Sequence, residues 1–204
     1  MRTWTLGVVL GLAVLPAYAQ PEKYSINTAT PEGLLLQQAA HENDEAKKIA
    51  IYDDYLQKFP KHAGVHYALS QVQPLYLKAE QLDKVIQAAE QALALDPASP
   101  VMAYNALQAS EKRKNIEGIK TWVARTIEAA GKIKARAKPA DEDELESWKH
   151  DQDFATQVIP RAEYSLYAAA LTSTDFKITA DLGETLEKTN PRSQYLPQIA
   201  ARYL

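Results

Sequence analysis

Apolar residues recur at steps of three and four along most of the chain, the spacing of one face of an α-helix. The clearest example runs from Leu82 to Leu95, where leucine, valine, isoleucine and alanine side chains fall on one side. An earlier segment repeats the pattern with Ile49, Tyr52 and Leu56. Hardly any stretch alternates apolar and polar residues as a strand does. The pattern therefore predicts an all-α protein.

Capping residues and prolines divide this pattern into separate helices. Thr30-Pro31 places a capping side chain before a proline in the first turn, where proline's missing N–H would have no helical partner. Asn43-Asp44-Glu45 is expected to cap the next helix, Ser99-Pro100 repeats the arrangement of cap and first-turn proline, and a further helix is expected after Asn115. Pro74 and Pro160 lie inside apolar patterns, and proline removes a backbone hydrogen bond, so we expect a kink or break at each. The region around Pro160 is therefore predicted as two helices.

The first residues, 1–19, have the features of an export signal. A basic residue, Arg2, precedes an uncharged apolar run over 5–15, and Ala17 and Ala19 present the small side chains that a signal peptidase requires. The run is short of the ~20 apolar residues that cross a bilayer, which argues against the alternative of a retained anchor. We therefore expect cleavage after Ala19 and a periplasmic or secreted protein.

Composition fits a compact helical protein and excludes several classes. Of the 204 residues, 46% are hydrophobic and seven are glycine, which is unlike a disordered chain. The mild net charge of −3 gives no case for nucleic-acid binding, which usually leaves a clustered basic footprint. The chain has no cysteine, so neither disulfides nor a lipidated cysteine are available. An exported form must rely on its core for stability.

Residues that could carry catalysis or hold a metal occur, but not in convincing arrangements. His62 and His66 have the spacing of a two-histidine metal pair, yet the glutamate of that motif is absent and no cysteine completes a site. The acidic run over 141–146 lacks the glycine turn and ligand spacing of a calcium loop, and the junction of two helices explains it. Asp53 and Asp54 are adjacent, so their carboxylates diverge on a helix. We expect no metal, no cofactor and no enzyme.

The helical segments also resemble one another at a period in the thirties, which is typical of helical repeat arrays. The segment 66–97 resembles a tetratricopeptide repeat through residues whose types suit that family's pattern: Leu69, Tyr76, Ala92, Leu93, Leu95, Asp96 and Pro97. Segments 29–60 and 100–131 resemble weaker copies, and 160–191 resembles a degenerate one. Glu80 departs from the pattern, because the family favours glycine in that turn.

The resemblance implies a right-handed superhelical solenoid of antiparallel helix pairs, with about four pairs and a C-terminal capping helix within 193–204. It divides the chain into a signal peptide, a lead-in over 20–29, repeats over 30–131 and a degenerate helical region over 132–204. The family implies a scaffold or adaptor that takes a protein or peptide segment on a concave surface lined by the first helix of each pair. Carried over by position, that surface includes Gln37, Tyr67, Ser70, Leu77, Lys78, Tyr104, Gln108, Glu111 and Lys112.

Two other functions stay open at this point. The stack could be a structural component of a cell-envelope complex. Alternatively, the less repetitive region 139–204 could bind a small ligand or carry an enzymatic site, which a deep polar pocket with a titratable residue would favour. Binding to nucleic acid and stable membrane insertion after signal cleavage are not expected. The partner's identity is not legible in the sequence.

Overall fold

The computed structural model describes residues 25–202, and every regular element in this range is an α-helix. The predicted all-α class is therefore confirmed for this part of the chain. The expected signal peptide over 1–19 lies outside the described residues, so its cleavage stays a prediction. None of the helices within 25–202 is both long and apolar enough to cross a membrane.

Nine helices lie in the described range. They are α1 (Pro31–His41), α2 (Glu45–Lys58), α3 (Val65–Lys78), α4 (Leu82–Leu95), α5 (Pro100–Lys112), α6 (Ile116–Lys134), α7 (Glu142–Thr172), α8 (Phe176–Thr189) and α9 (Leu196–Ala200). We call α1, α3, α5 and α7 the first helices, and α2, α4, α6 and α8 the second helices. The short α9 lies within the predicted last helix, contacts α7 and α8, and buries Ile199 completely.

Side-chain caps start the predicted helices at Thr30, Asp44 and Asn115, whereas the predicted cap Ser99 makes none to α5 because its hydroxyl donates to Asp96. The Thr30 hydroxyl accepts a hydrogen bond from the Gly33 N–H at 3.2 Å, and the Asn115 side chain accepts one from the Gly118 N–H at 3.1 Å. Each bond satisfies a backbone donor that the first turn of a helix leaves unpaired. These predicted helix starts are confirmed.

The two prolines inside apolar patterns do not interrupt their helices, so a break at either one is ruled out, and the alternative of a kink stays a prediction. Pro74 lies within α3, and Pro160 lies within α7, which runs unbroken for 31 residues. Both prolines are exposed, on the side where a freed carbonyl can bond to water. Nearby residues that face inward, Val72 in α3 and Val158 in α7, are fully buried. Packing of the buried side therefore outweighs the local cost of each proline.

Each helix packs against the next one along the chain. Helices two places apart in order also meet, since α3 contacts α5, α5 contacts α7, and α6 contacts α8. The core is spread along the chain in the same way. One cluster joins buried side chains of α1 to α5, a second joins α4 to α9, and a third joins α6 to α7. The helix pairs therefore cover one another's apolar faces instead of sharing one central core.

A buried glutamine ties three helices of the first cluster. The Gln73 side chain is fully buried, and its amide nitrogen donates to the backbone oxygens of Val85 at 3.1 Å and Met102 at 3.0 Å. Its oxygen accepts from the Asn105 amide at 3.0 Å. A buried amide without such partners would cost free energy, so these bonds select one arrangement of α3, α4 and α5.

The turn within each of the four pairs has three residues: 42–44, 79–81, 113–115 and 173–175. In two of these turns the middle residue is left-handed, Glu80 at φ 56° and Lys114 at φ 52°. After the first of them, the Gln81 N–H donates to the Tyr76 carbonyl at 2.9 Å, which closes the end of α3. In both turns a residue other than glycine therefore adopts a backbone conformation that favours glycine.

We expect Lys114→Gly to stabilise the protein by roughly 0.5–1 kcal/mol, because glycine relieves the left-handed strain and loses only part of that gain to unfolded-state freedom. Ala79→Gly is the matched control, since Ala79 has an ordinary φ of −80° beside the other left-handed residue. It should cost roughly 0.5–1 kcal/mol. Urea unfolding followed by circular dichroism measures both. Equal losses of unfolding free energy in the two variants would show that the turn at Lys114 holds no strain.

Candidate partner-binding site

The residues predicted for a partner surface all lie on first helices. They are Gln37 in α1, Tyr67, Ser70, Leu77 and Lys78 in α3, and Tyr104, Gln108, Glu111 and Lys112 in α5. The two lysines, Gln37 and Glu111 are exposed, and the others are partly buried. This placement fits the predicted surface, and the binding of a partner there stays a prediction.

Both predicted lysines are held in ion pairs with the preceding pair of helices. Lys78 Nζ lies 2.5 Å from Glu45 Oε1, and Lys112 Nζ lies 3.0 Å from Glu80 Oε1. The partners are 33 and 32 residues apart in the chain, which is close to one repeat. Exposed ion pairs of this kind contribute only about 0–1 kcal/mol. A partner carboxylate could therefore compete for either lysine at little cost.

The equal turns place matching residues at matching distances from the ends of the first helices. Ser70, Tyr104 and Tyr164 each lie eight residues before the last residue of α3, α5 and α7, at 78, 112 and 172. Gln37 and Gln108 each lie four residues before the ends of α1 and α5. Sequence reasoning did not place Tyr164 on the predicted surface, yet its side chain is 52% exposed. Counting back from the turns would have found it.

Tyr164 belongs to a cluster of three tyrosines near the end of the described chain. The Tyr167 and Tyr195 rings stack with their centroids 4.9 Å apart, and the Tyr164 ring lies 5.9 Å from each of them. Within residues 25–202, none of the three hydroxyls has a hydrogen-bond partner. Stacked rings with unused hydroxyls form a rigid, amphipathic surface that suits contact with another protein.

A buried carboxylate positions the segment that carries Tyr195. Glu163 is 6% exposed, and its two oxygens accept from the Asn190 amide at 2.8 Å and the Ser193 hydroxyl at 2.6 Å. These bonds tie the loop before α9 to α7. They therefore help to hold Tyr195 against Tyr167.

Tyr52 and Tyr76 belong to the core and not to the surface, since they are 2% and 4% exposed. Burial, together with the neighbouring Tyr67 hydroxyl, raises the pKa of Tyr52 to about 12. Burial also raises the pKa of Tyr76, whose hydroxyl donates to the Asp53 carboxylate. Because Tyr67 contacts Tyr52, this predicted surface residue also has a structural role.

A cavity of about 280 Å³ lies where α3, α5, α6 and α7 come together. Its apolar wall includes Met102, Ile133 and Phe154. Its polar side is formed by His66, Ser70, Asp96, Ser99, Arg136, His150 and Asp151, so the predicted surface residue Ser70 also lines this cavity. Since His150, Asp151 and Phe154 come from the region 139–204, this is the place where the small-ligand alternative would apply.

Hydrogen bonds link His66, Ser99 and Asp96 on the polar side of the cavity. Their donors and acceptors are not arranged as in a catalytic triad. His66 Nε2 lies 3.1 Å from Ser99 Oγ, and Ser99 Oγ donates to Asp96 Oδ2 at 3.1 Å. The histidine must then donate to the serine oxygen, whereas a catalytic histidine removes the serine proton. Arg136 lies 3.9 Å from Asp96 and 3.5 Å from Asp151, so it links α6 to its neighbours. This arrangement does not activate Ser99 as a nucleophile.

The histidine pair and the acidic run, which were the candidate metal-binding residues, make hydrogen bonds with structural roles. The His62 ring accepts from the Tyr55 hydroxyl at 2.7 Å, whereas His66 bonds to Ser99, so the two histidines do not converge. Asp141, at the start of the acidic run, caps α7 by accepting from the N–H two residues later at 2.9 Å. Within residues 25–202, no group of three or more histidine, aspartate or glutamate side chains is arranged to hold a metal ion.

Comparison of the chain with known proteins gave no match among protein-family models, curated proteins or solved structures. The resemblance to tetratricopeptide repeats therefore rests on the residues of this chain alone. The helical fold and the contacts described above do not depend on that resemblance.

Proposed function

We propose that this protein is an exported, tetratricopeptide-like scaffold that binds a segment of another protein across its first helices. In this proposal the four helix pairs form a right-handed solenoid, with α9 covering the last pair. The observation that carries it is the register of Ser70, Tyr104 and Tyr164, which occupy matching positions on α3, α5 and α7. These helices contact one another in order. Matching positions on adjacent helices are the basis of the extended binding surfaces of repeat proteins.

The side chains at these positions suit a protein ligand. Tyr164 offers an exposed ring, whereas Tyr104 is half-buried against the second and third core clusters. The hydroxyls of both tyrosines have no partner within residues 25–202. Tyrosine is rigid, loses little conformational freedom on binding and is enriched in interfaces. Gln37 and Gln108 add amides that both donate and accept. Such a surface can hold an extended segment by aromatic anchors and by hydrogen bonds to its main chain.

The cavity beside His66 and Arg136 supports a second candidate function, the binding of a small molecule. Its volume of about 280 Å³ is near the lower end of the range for ligand pockets. It combines an apolar wall with a few converging polar groups, as such pockets do. A protein that worked only through this cavity would need no protein partner. Gln37 and Glu111 do not line the cavity, so protein crosslinks from these two positions separate the candidates experimentally.

The experiment that tests the scaffold is photo-crosslinking in extracts of the cell envelope. A photoreactive residue is placed at Gln37 or Glu111, which are exposed on first helices, and at Thr121 or Glu184, which are exposed on second helices. We expect protein adducts from the first-helix positions and none from the second-helix positions. Adducts from both sets would favour the alternative of a structural component buried in an envelope complex. No adduct from Gln37 or Glu111 would contradict the scaffold and leave the small-molecule candidate.

A further inference from the structure

A groove of about 560 Å³ lies between α2 and α4, with α3 as its floor. None of its lining residues belongs to the predicted first-helix surface. We call it the α2–α4 groove and define it by Leu56, Gln57, Leu69, Gln87, Gln91 and Leu95.

The floor and one end of the α2–α4 groove are apolar. Leu69 and Ala88 are almost completely buried beneath it, and the partly buried Leu56 forms its α2 side. Leu95, in the last turn of α4, is 58% exposed at the rim. An exposed leucine beside a recessed apolar floor offers area that a bound side chain would remove from water.

The rim of the α2–α4 groove carries amides. Gln57 on α2 and Gln87 and Gln91 on α4 line it, and their side chains have no hydrogen-bond partner within residues 25–202. A glutamine amide offers both N–H donors and a carbonyl acceptor. Amides along an apolar groove therefore complement a ligand that also alternates donors and acceptors, as a polypeptide main chain does.

The α2–α4 groove has no charge left to offer. Its charged lining residues are Asp53 and Lys84, and these pair with each other at 2.6 Å. The Asp53 carboxylate also accepts from the Tyr76 hydroxyl, and Lys84 Nζ lies 5.1 Å from the centroid of the Tyr76 ring. A ligand would therefore have to disrupt more contacts here than in the surface ion pairs of Lys78 and Lys112. A charged ligand would lose its own hydration without gaining a free counter-ion, so the groove favours an uncharged one.

From these features we infer that the α2–α4 groove binds an extended, uncharged segment of a partner polypeptide with apolar side chains at alternate positions. The apolar side chains of this segment pack against Leu56, Leu69 and Ala88. The main chain is held by hydrogen bonds to the amides of Gln57, Gln87 and Gln91. Because successive side chains of an extended segment point to opposite sides, the alternate ones reach the solvent.

The length of the α2–α4 groove and the chemistry of its rim suit an extended segment better than a helix. Its α4 side runs from Lys84 to Leu95, which at about 1.5 Å per residue is roughly 16 Å and matches about five extended residues. A helix uses its main-chain N–H and C=O groups internally, so it would present none of them to the amides of the rim. An extended segment leaves these groups free to bond to Gln57, Gln87 and Gln91. The rim therefore favours a strand-like segment over a helix.

The test titrates the full chain with the peptide acetyl-Leu-Thr-Leu-Thr-Leu-amide and follows the glutamine side-chain amide signals by NMR. We expect saturable shifts at Gln57, Gln87 and Gln91.

The double variant Gln87→Ala plus Gln91→Ala should weaken binding about tenfold, since it removes two hydrogen-bonding side chains. Ala94→Arg, which places a large side chain at an exposed lining position, should abolish it. Glu90→Ala, on the same helix outside the lining, should leave it unchanged.

Three results would overturn the inference. They are no saturable shift at millimolar peptide, unchanged affinity in Ala94→Arg, and equal affinity for a peptide whose main-chain nitrogens are methylated and cannot donate. Tyr164→Ala should leave peptide binding to the α2–α4 groove intact. A failure of the first-helix proposal and a failure of this inference are therefore distinguishable.

Discussion

Replacing Leu107 by aspartate is expected to unfold the centre of the protein at a cost of several kcal/mol. Leu107 is completely buried in the cluster that joins α4 to α9. A carboxylate there loses its hydration and finds no cation, because the core members around it are apolar. Since neighbouring helices cover one another's faces, the damage should spread from α5 to α4 and α6. Urea unfolding gives the cost, and hydrogen exchange shows which helices lose protection.

Val101→Asp is the control for this prediction. Val101 lies on the same helix, but it is 46% exposed, so the same change should cost less than about 1 kcal/mol. If Leu107→Asp and Val101→Asp unfold at the same urea concentration, the core of the central helices has been assigned wrongly.

The helices that the sequence predicted best are those whose apolar residues recur regularly and whose ends are marked by capping residues. The apolar period from Leu82 to Leu95 coincides with the observed bounds of α4, and Thr30 and Asn115 cap the helices they were expected to start. Period and capping are local properties, so local sequence carries them. Pro160 shows the limit of prediction from local sequence. Its effect on α7 depends on which side of the helix is buried, and distant residues decide that.

The candidate site was only partly predictable for the same reason. Helix membership of Tyr67 and Tyr104 followed from periodicity, but the contact of Tyr67 with Tyr52 depends on how α2 and α3 pack. The bond between His66 and Ser99 joins residues 33 apart, and no local pattern announces it. Tyr164 was missed because the repeat resemblance is weak over 160–191, so no surface position was carried over to that segment. Its register follows from the three-residue turn over 173–175.

The double variant Tyr104→Ala plus Tyr164→Ala should lose the partners that the wild-type protein recovers from an envelope extract. Each tyrosine is expected to act as an anchor, and truncating an anchor typically weakens binding by about 2 kcal/mol, or roughly 30-fold. Tyr104 is half-buried, so its loss also costs some stability. Tyr104→Phe, which removes only the hydroxyl, separates the two effects because it leaves the packing in place.

Phe176→Ala is the matched control for partner recovery. Phe176 is an aromatic residue at the start of α8, a second helix, and it is 70% exposed. Losing this ring should change neither partner recovery nor the melting temperature, because the proposal gives the second helices no role in the first-helix surface.

The scaffold proposal is tested most directly by measuring partner recovery from an envelope extract for three chains at a temperature where all are folded. The wild-type protein and Phe176→Ala should retain the same proteins, and Tyr104→Ala plus Tyr164→Ala should retain none of them. Recovery of the same partners by all three folded chains would contradict the proposal that the first helices form the binding surface.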